Sequence, residues 1–276
     1  MVRLPLPIPK PNRPHPSNRE FAMLRCGICF AALALASVVA SPALADNVDD
    51  FMKQVDSVRY SPAEHGLKDV KVQVHNRTAD QDFALSKAKV FVYWKSPDKY
   101  TANAEGLDPA SAARLGPIIA GMKEYGKMIV PESMCIMREK FDYTISRERG
   151  KTVLIGVPKP GTIEAKAITR TKTWFDDRHL PVKVVNEGPC ASWLEMTYVK
   201  KDGKFLLATT KGELDTGPMG MEAFAQTWTY TQIDGTWFPT KYKEVAMGGE
   251  SETSFSGYEI NQGLEDSLFG EEEDAK

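Results

Sequence analysis

Apolar and polar residues alternate with a period of two along much of this chain. Ala88, Val90, Val92 and Trp94 alternate with Lys89, Phe91, Tyr93 and Lys95, which predicts a strand. Ser96-Pro97-Asp98 then turns the chain straight into Tyr100 to Ala104, and so short a connection allows only an antiparallel partner. Val70, Val72 and Val74 make an earlier strand by the same pattern. From Phe141 onward the hairpins repeat. Phe141, Tyr143 and Ile145 return through Val153, Ile155 and Val157 across an Arg147 to Gly150 turn. Residues 165–175 pair with 182–186, 193–200 with 205–213, and 224–232 with 236–245 across the tight-turn dipeptide Asp234-Gly235. Residues 252–260 supply a last strand.

Two stretches switch to a helical period. Val48, Phe51, Met52 and Val55 share one face, with Asp46, Asp49 and Asp50 at the positive end of the helix dipole. Between 108 and 130, Ala112, Leu115, Ile118, Ile119 and Met122 share a face behind an Asp108 cap and Pro109. Gly116-Pro117 is expected to kink or split this helix, because proline removes a backbone donor and clashes with the preceding turn. Met122, Met128, Met134 and Met137 crowd the same region. Such a flexible, polarisable cluster suits an irregular core gap or a surface that adapts to an apolar ligand.

About a dozen strands in one meander make a sheet too large to stay flat. The expected fold is mainly β: a strongly curved antiparallel sheet with helices filling or covering its mouth, leaving an apolar concavity. Trp94, Tyr100, Phe141, Tyr143, Trp228, Tyr230 and Phe255 are assigned to the concave face because they alternate with polar neighbours on successive hairpins. Val92, Met122 and Met128 complete the expected lining. Ordinary core packing is the alternative for each.

Composition narrows the function. With 35 basic and 37 acidic residues the net charge is −2, so no nucleic-acid footprint is present and no nucleic-acid partner is expected. Met23-Leu24-Arg25, an apolar run from Cys26 to Ala40 and the small-residue site Ala43-Leu44-Ala45 have the three parts of a secretory signal. Cleavage is expected after Ala45, with export to the periplasm. Residues 1–45 are then extension and signal, 46–270 a single domain, and 271–276 an acidic tail. Cys135 and Cys190 survive cleavage and allow one disulfide; two separately buried thiols are the alternative.

Candidate chemistry is sparse. The mature chain keeps only His65, His75 and His179, without the spacing that holds a catalytic metal, and no cofactor is expected. Gly249-Glu250-Ser251 begins like a nucleophile elbow but lacks the closing glycine, and Ser251 is read as a turn residue. Asp176-Asp177 is read as turn chemistry, not as a pair of catalytic carboxylates.

Several segments together resemble the periplasmic lipoprotein-carrier and lipoprotein-sorting (LolA/LolB-like) superfamily. They are Trp94 to Tyr100, Trp174-Phe175-Asp176 with Leu180 to Lys183, Asp234 to Thr240, Phe255 to Asn261, and Asp266 to Phe269. The resemblance implies an incompletely closed β-barrel, lidded by helices, that holds acyl chains of lipoproteins or other lipids. In the family's carriers an arginine before the corner proline helps hold the lid shut, and an aromatic follows three residues after that proline. Tyr100 fills the aromatic position; Ser96 stands in the arginine's place, with Lys95 one residue earlier and on the other face of the strand. The expected function is non-enzymatic binding of a lipid or lipoprotein acyl chain. The alternative is an envelope sensor or scaffold of the same fold that binds a protein partner.

Overall fold

Strands form where side chains alternate, and their order in the sheet follows from where the last of them returns. The computed structural model describes residues 48–77, 84–217, 220–246 and 248–270. The extension, the signal with Cys26 and Cys29, and the acidic tail lie outside these residues. The strands are β1 (Asp69–Asn76), β2 (Lys89–Lys95), β3 (Lys99–Glu105), β4 (Phe141–Glu148), β5 (Lys151–Pro158), β6 (Arg170–Phe175), β7 (Pro181–Glu187), β8 (Ser192–Lys201), β9 (Lys204–Asp215), β10 (Met221–Ile233), β11 (Thr236–Ala246) and β12 (Gly249–Ile260). They make one antiparallel sheet in the order β3-β2-β1-β12-β11-β10-β9-β8-β7-β6-β5-β4. The chain thus meanders from β4 to β12 and then closes back onto β1, with Val74 opposite Phe255 and Val70 opposite Ile260. β3 and β4 are the two free edges of the curved, unclosed sheet.

The connection between those edges carries helices α2 (Pro109–Gly121), α3 (Glu124–Ile129) and α4 (Met134–Lys140); α1 (Val48–Val58) precedes the sheet, and a helical turn, α5 (Glu164–Ala167), precedes β6. Three expectations change here. Gly116-Pro117 does not interrupt α2, which ends instead at Met122. Pro117 and Ala113 both lie on its exposed side, where water can satisfy the carbonyl that proline leaves without a donor. Residues 164–167 are helical, not strand, with the Ala165 amide donating to Thr162 Oγ1. Ser251 is no turn residue: it lies in β12 opposite Glu244.

Helix α4 is held by a group far away in sequence. The Asp56 carboxylate on α1 accepts from the Ser133 hydroxyl at 2.7 Å and from the amides of Met134 at 2.9 Å and Cys135 at 3.3 Å, which satisfies donors that a helix start leaves open. α1 and α4 therefore dock as a pair. Val48, Phe51, Met52 and Val55 pack with Met137 against Phe141, Tyr143, Leu154 and Phe175 of β4 to β6. Beyond α1 the chain crosses one end of the sheet. The Tyr60 amide donates to Phe205 O at 2.9 Å, and the Trp237 amide donates to the Tyr60 hydroxyl at 2.7 Å.

The sheet is bent by a device that recurs on alternate strands. Pairing slips by one residue at Val182 in β7, Ala208 in β9 and Thr240 in β11, and such bulges raise the local twist while leaving backbone groups unpaired. In each case a tyrosine from the next strand donates to the carbonyl just before the extra residue. Tyr198 reaches Pro181 O at 2.8 Å, Tyr230 reaches Leu207 O at 2.9 Å, and Tyr258 reaches Pro239 O. Burial pushes all three phenols above their ordinary pKa. Tyr230→Phe leaves the part-buried Leu207 carbonyl without this donor, and we expect it to lower stability by about 1–2 kcal/mol. Urea unfolding of the variant measures the loss as a lower midpoint at unchanged slope.

Candidate functional site: the concave face beneath the helical crossing

Alternation along β2 sends Val90, Val92 and Trp94 toward the helices and Phe91 and Tyr93 to the opposite face. There Lys71 Nζ lies 4.5 Å from the Phe91 ring centre. On the concave side Trp94 stands between Val70 of β1 and Tyr100 of β3. α3 lies over this rung. Its Ile129, with Val130, packs among Val70, Val72, Val74, Val92, Trp94, Phe238, Tyr242 and Phe255, while Tyr100, Tyr125, Met128 and Trp228 join the cluster only partly buried.

Few polar contacts hold α3 down. The Tyr100 hydroxyl donates to Val130 O at 2.9 Å. The Tyr125 hydroxyl receives the Asn76 amide at 2.8 Å and the Thr253 hydroxyl at 3.4 Å, which ties α3 to β1 and β12. Burial raises the pKa of both phenols, so both stay neutral and Tyr100 keeps its proton to donate. Gly126 permits the close approach: a Cβ there would stand 2.5 Å from Tyr100 Cδ1 and 3.4 Å from Val92 Cγ1.

An ionic chain links α3 to the elements at the other edge. Lys127 Nζ is 3.0 Å from Glu124 and 3.5 Å from Glu132; Lys140 Nζ is 3.0 Å from Glu132 and 3.9 Å from Glu164. Burial works against the charge of Lys127, but Glu124 and Glu132 outweigh it and raise its pKa. Lys95 takes no part in this. Its ammonium donates to Leu264 O at 2.6 Å and lies 3.3 Å from Asp266, so it fastens the C-terminal segment. Tyr100 is the residue of the corner that contacts the end of α3.

The expected lining residues divide among several places. Val92, Trp94, Tyr100, Trp228 and Phe255 meet beneath α3, and Met128 joins them from α3 itself. Met122 joins Leu85, Val90, Leu115 and Ile119 where α2 covers β2 and β3. Phe141 and Tyr143 belong to the α1–α4 cluster, and Tyr230 is committed to the β9 bulge. A row of concave positions joins these regions: Ile145, Leu154, Thr173, Val184, Leu194, Gly212 and Phe224 register across β4 to β10. Tyr125, Gly126 and Tyr242 were missed by sequence reasoning. Tyr125 and Gly126 fall in a short helix without a capping signal, and Tyr242 in a strand with several aromatics. Cys135 and Cys190 are free thiols, the first exposed and the second half-buried.

No protein-family model matches the chain, and no curated protein matches it. Among solved structures it is similar to an outer membrane lipoprotein-sorting protein domain from Vibrio parahaemolyticus. The identity is 14%, with 80% of this chain and 95% of that one covered and a TM-score of 0.34. It is also similar to a DUF1329 family protein from Desulfovibrio piger, at 13% identity, with 80% and 94% covered and a TM-score of 0.33.

Among the described residues no group of three or more His, Cys, Asp or Glu side chains could hold a metal ion. No described helix is long and apolar enough to cross a membrane. Asp176 is a turn residue in detail. Burial raises its pKa, but the amides of Leu180 and Arg178 and the Arg178 guanidinium outweigh this and hold it below the ordinary carboxylate value.

Proposed function

We propose that this chain is an exported, non-enzymatic binding protein that takes up the acyl chain of a lipid or lipoprotein against the concave face of its sheet, with α3 as the lid. The observation that carries the reading is the surface beneath α3. Tyr100 and Trp228 lie there only partly buried among fully packed strand residues, Tyr125 and Met128 join the same cluster from α3 itself, and that lid is a helix of 6 residues. The magnitudes favour opening. Breaking the tyrosine contacts of α3 costs about 1 kcal/mol each and uncovering Ile129 and Val130 about 1.5–3 kcal/mol each, whereas burying acyl methylenes returns about 0.8 kcal/mol apiece. An acyl chain of about a dozen methylenes therefore offsets the cost of lifting the helix. The signal read at residues 1–45 supports delivery to the periplasm, where acyl-bearing partners are met.

Native mass spectrometry of residues 46–276, purified from an envelope fraction without detergent, tests this. We expect a bound acyl species at defined stoichiometry, identified after organic extraction. An apo mass, together with failure to take up a fluorescent fatty-acyl probe, overturns the carrier reading in favour of an envelope sensor or scaffold that binds a protein partner.

A further inference from the structure

Trp94 is 1% exposed, and among the described residues its indole N–H finds no partner at proper hydrogen-bond geometry, although it bears on the Tyr100 hydroxyl. An unmet donor in such surroundings costs about 1–3 kcal/mol, and buried donors are seldom left so. This one lies beside the Tyr100 side chain, directly across the β2–β3 ladder. Tyr100 in turn spends its proton on Val130 O at the end of the lid. Lifting α3 removes that carbonyl and leaves two adjacent donors, one phenolic and one indole, beside an apolar floor.

We propose that Trp94 Nε1–H and Tyr100 O–H together recognise the carbonyl oxygen of an uncharged acyl ester, and that Val130 O occupies part of that position while the lid is closed. A carbonyl oxygen has two lone pairs and can accept from both donors. Surrounding charge decides between an ester and a free fatty acid. Glu132, Asp98 and Glu124 all bear on the Tyr100 hydroxyl as negative charges, and the nearby ammonium groups of Lys127 and Lys140 are already paired with Glu132. A carboxylate would meet this field without a cation of its own, whereas an ester carbonyl carries no net charge to be repelled.

The inference rests on the carrier reading, and its test separates the two. Residues 46–276 are titrated at pH 8 with methyl laurate, laurate and dodecane, each competing with a fluorescent acyl probe. The Trp94 indole resonance, assigned by its absence from Trp94→Phe, is followed by 15N–1H NMR. We expect methyl laurate to bind about tenfold more tightly than dodecane, as one or two net hydrogen bonds supply, and more tightly than laurate. It should also shift the Trp94 indole signal further downfield than dodecane does. Trp94→Phe and, independently, Tyr100→Phe should each reduce the ratio of ester to alkane affinity severalfold, with both affinities measured in each variant. Equal binding of ester and alkane with the same indole shift overturns the inference and leaves the carrier intact. Tighter binding of laurate than of its ester also overturns it. Failure of all three compounds and of the probe to bind overturns the carrier reading and this inference with it.

Discussion

Gly126→Ala is expected to push α3 away from the sheet. The added Cβ would stand 2.5 Å from Tyr100 Cδ1, closer than carbon atoms approach, so either the ring or the helix must move. The ring is confined: its hydroxyl is bonded to Val130 O, and its strand is paired residue for residue with β2. Helix propensity alone would favour alanine by about 1 kcal/mol, but overpacking of this kind costs about 1–3 kcal/mol and should prevail. The expected result is a lower urea midpoint together with faster uptake of a fluorescent acyl probe. Gly116→Ala is the control of opposite sign. Gly116 lies within α2, and an added Cβ meets nothing within 4 Å, so the same substitution there should leave stability unchanged or raise it by up to about 1 kcal/mol. If both variants behave alike, α3 is not held in the close contact described.

A larger effect is expected at Gly212. It occupies the concave row between Leu194 and Phe224, where a Cβ would collide with the Trp193 carbonyl oxygen and lie 2.8 Å from Leu194 Cα. Both obstacles are backbone of the neighbouring strand and cannot turn aside as a side chain can. Gly212→Ala must push β8 from β9 in the middle of the sheet, and we expect a loss of about 3 kcal/mol or more. Urea unfolding checks the size of the loss. Amide exchange locates it: protection should fall first at 192–196 and 210–214, ahead of β1 and β2. A loss below about 1 kcal/mol, within the range of ordinary surface substitutions, would show that the two strands do not approach so closely.

Much of the candidate site could be read from alternation, and its failures have identifiable causes. Trp94 and Tyr100 lie on one unbroken hairpin, so counting by twos placed them on a common face. Tyr230 lies two residues beyond Trp228 on β10, but the ladder to β11 slips between Thr229 and Tyr230, and the Tyr230 hydroxyl ends on the Leu207 carbonyl instead. Phe141 and Tyr143 face the helices as alternation requires. The helices over them are α1 and α4, however, because Asp56 docks those two together at that edge. Met122 was grouped with Met128 by residue type, and the chain turns between them, which sends Met122 to the α2 cluster and Met128 to the α3 cluster.

By itself the sequence determined most of the strands and hairpin turns, α1 and the start of α2, because these depend on residues close together along the chain: period, turn chemistry and caps. Only the tertiary structure decided that β12 returns to β1, that the free edges are β3 and β4, and that Asp56 caps a helix 78 residues away. The same holds for the tyrosines that occupy the carbonyls freed by the bulges. An antiparallel edge offers the same backbone donors and acceptors to any strand that reaches it, so local pattern cannot say which strand arrives. That choice belongs to the whole curved sheet, which brings the helical crossing over Trp94 and Tyr100.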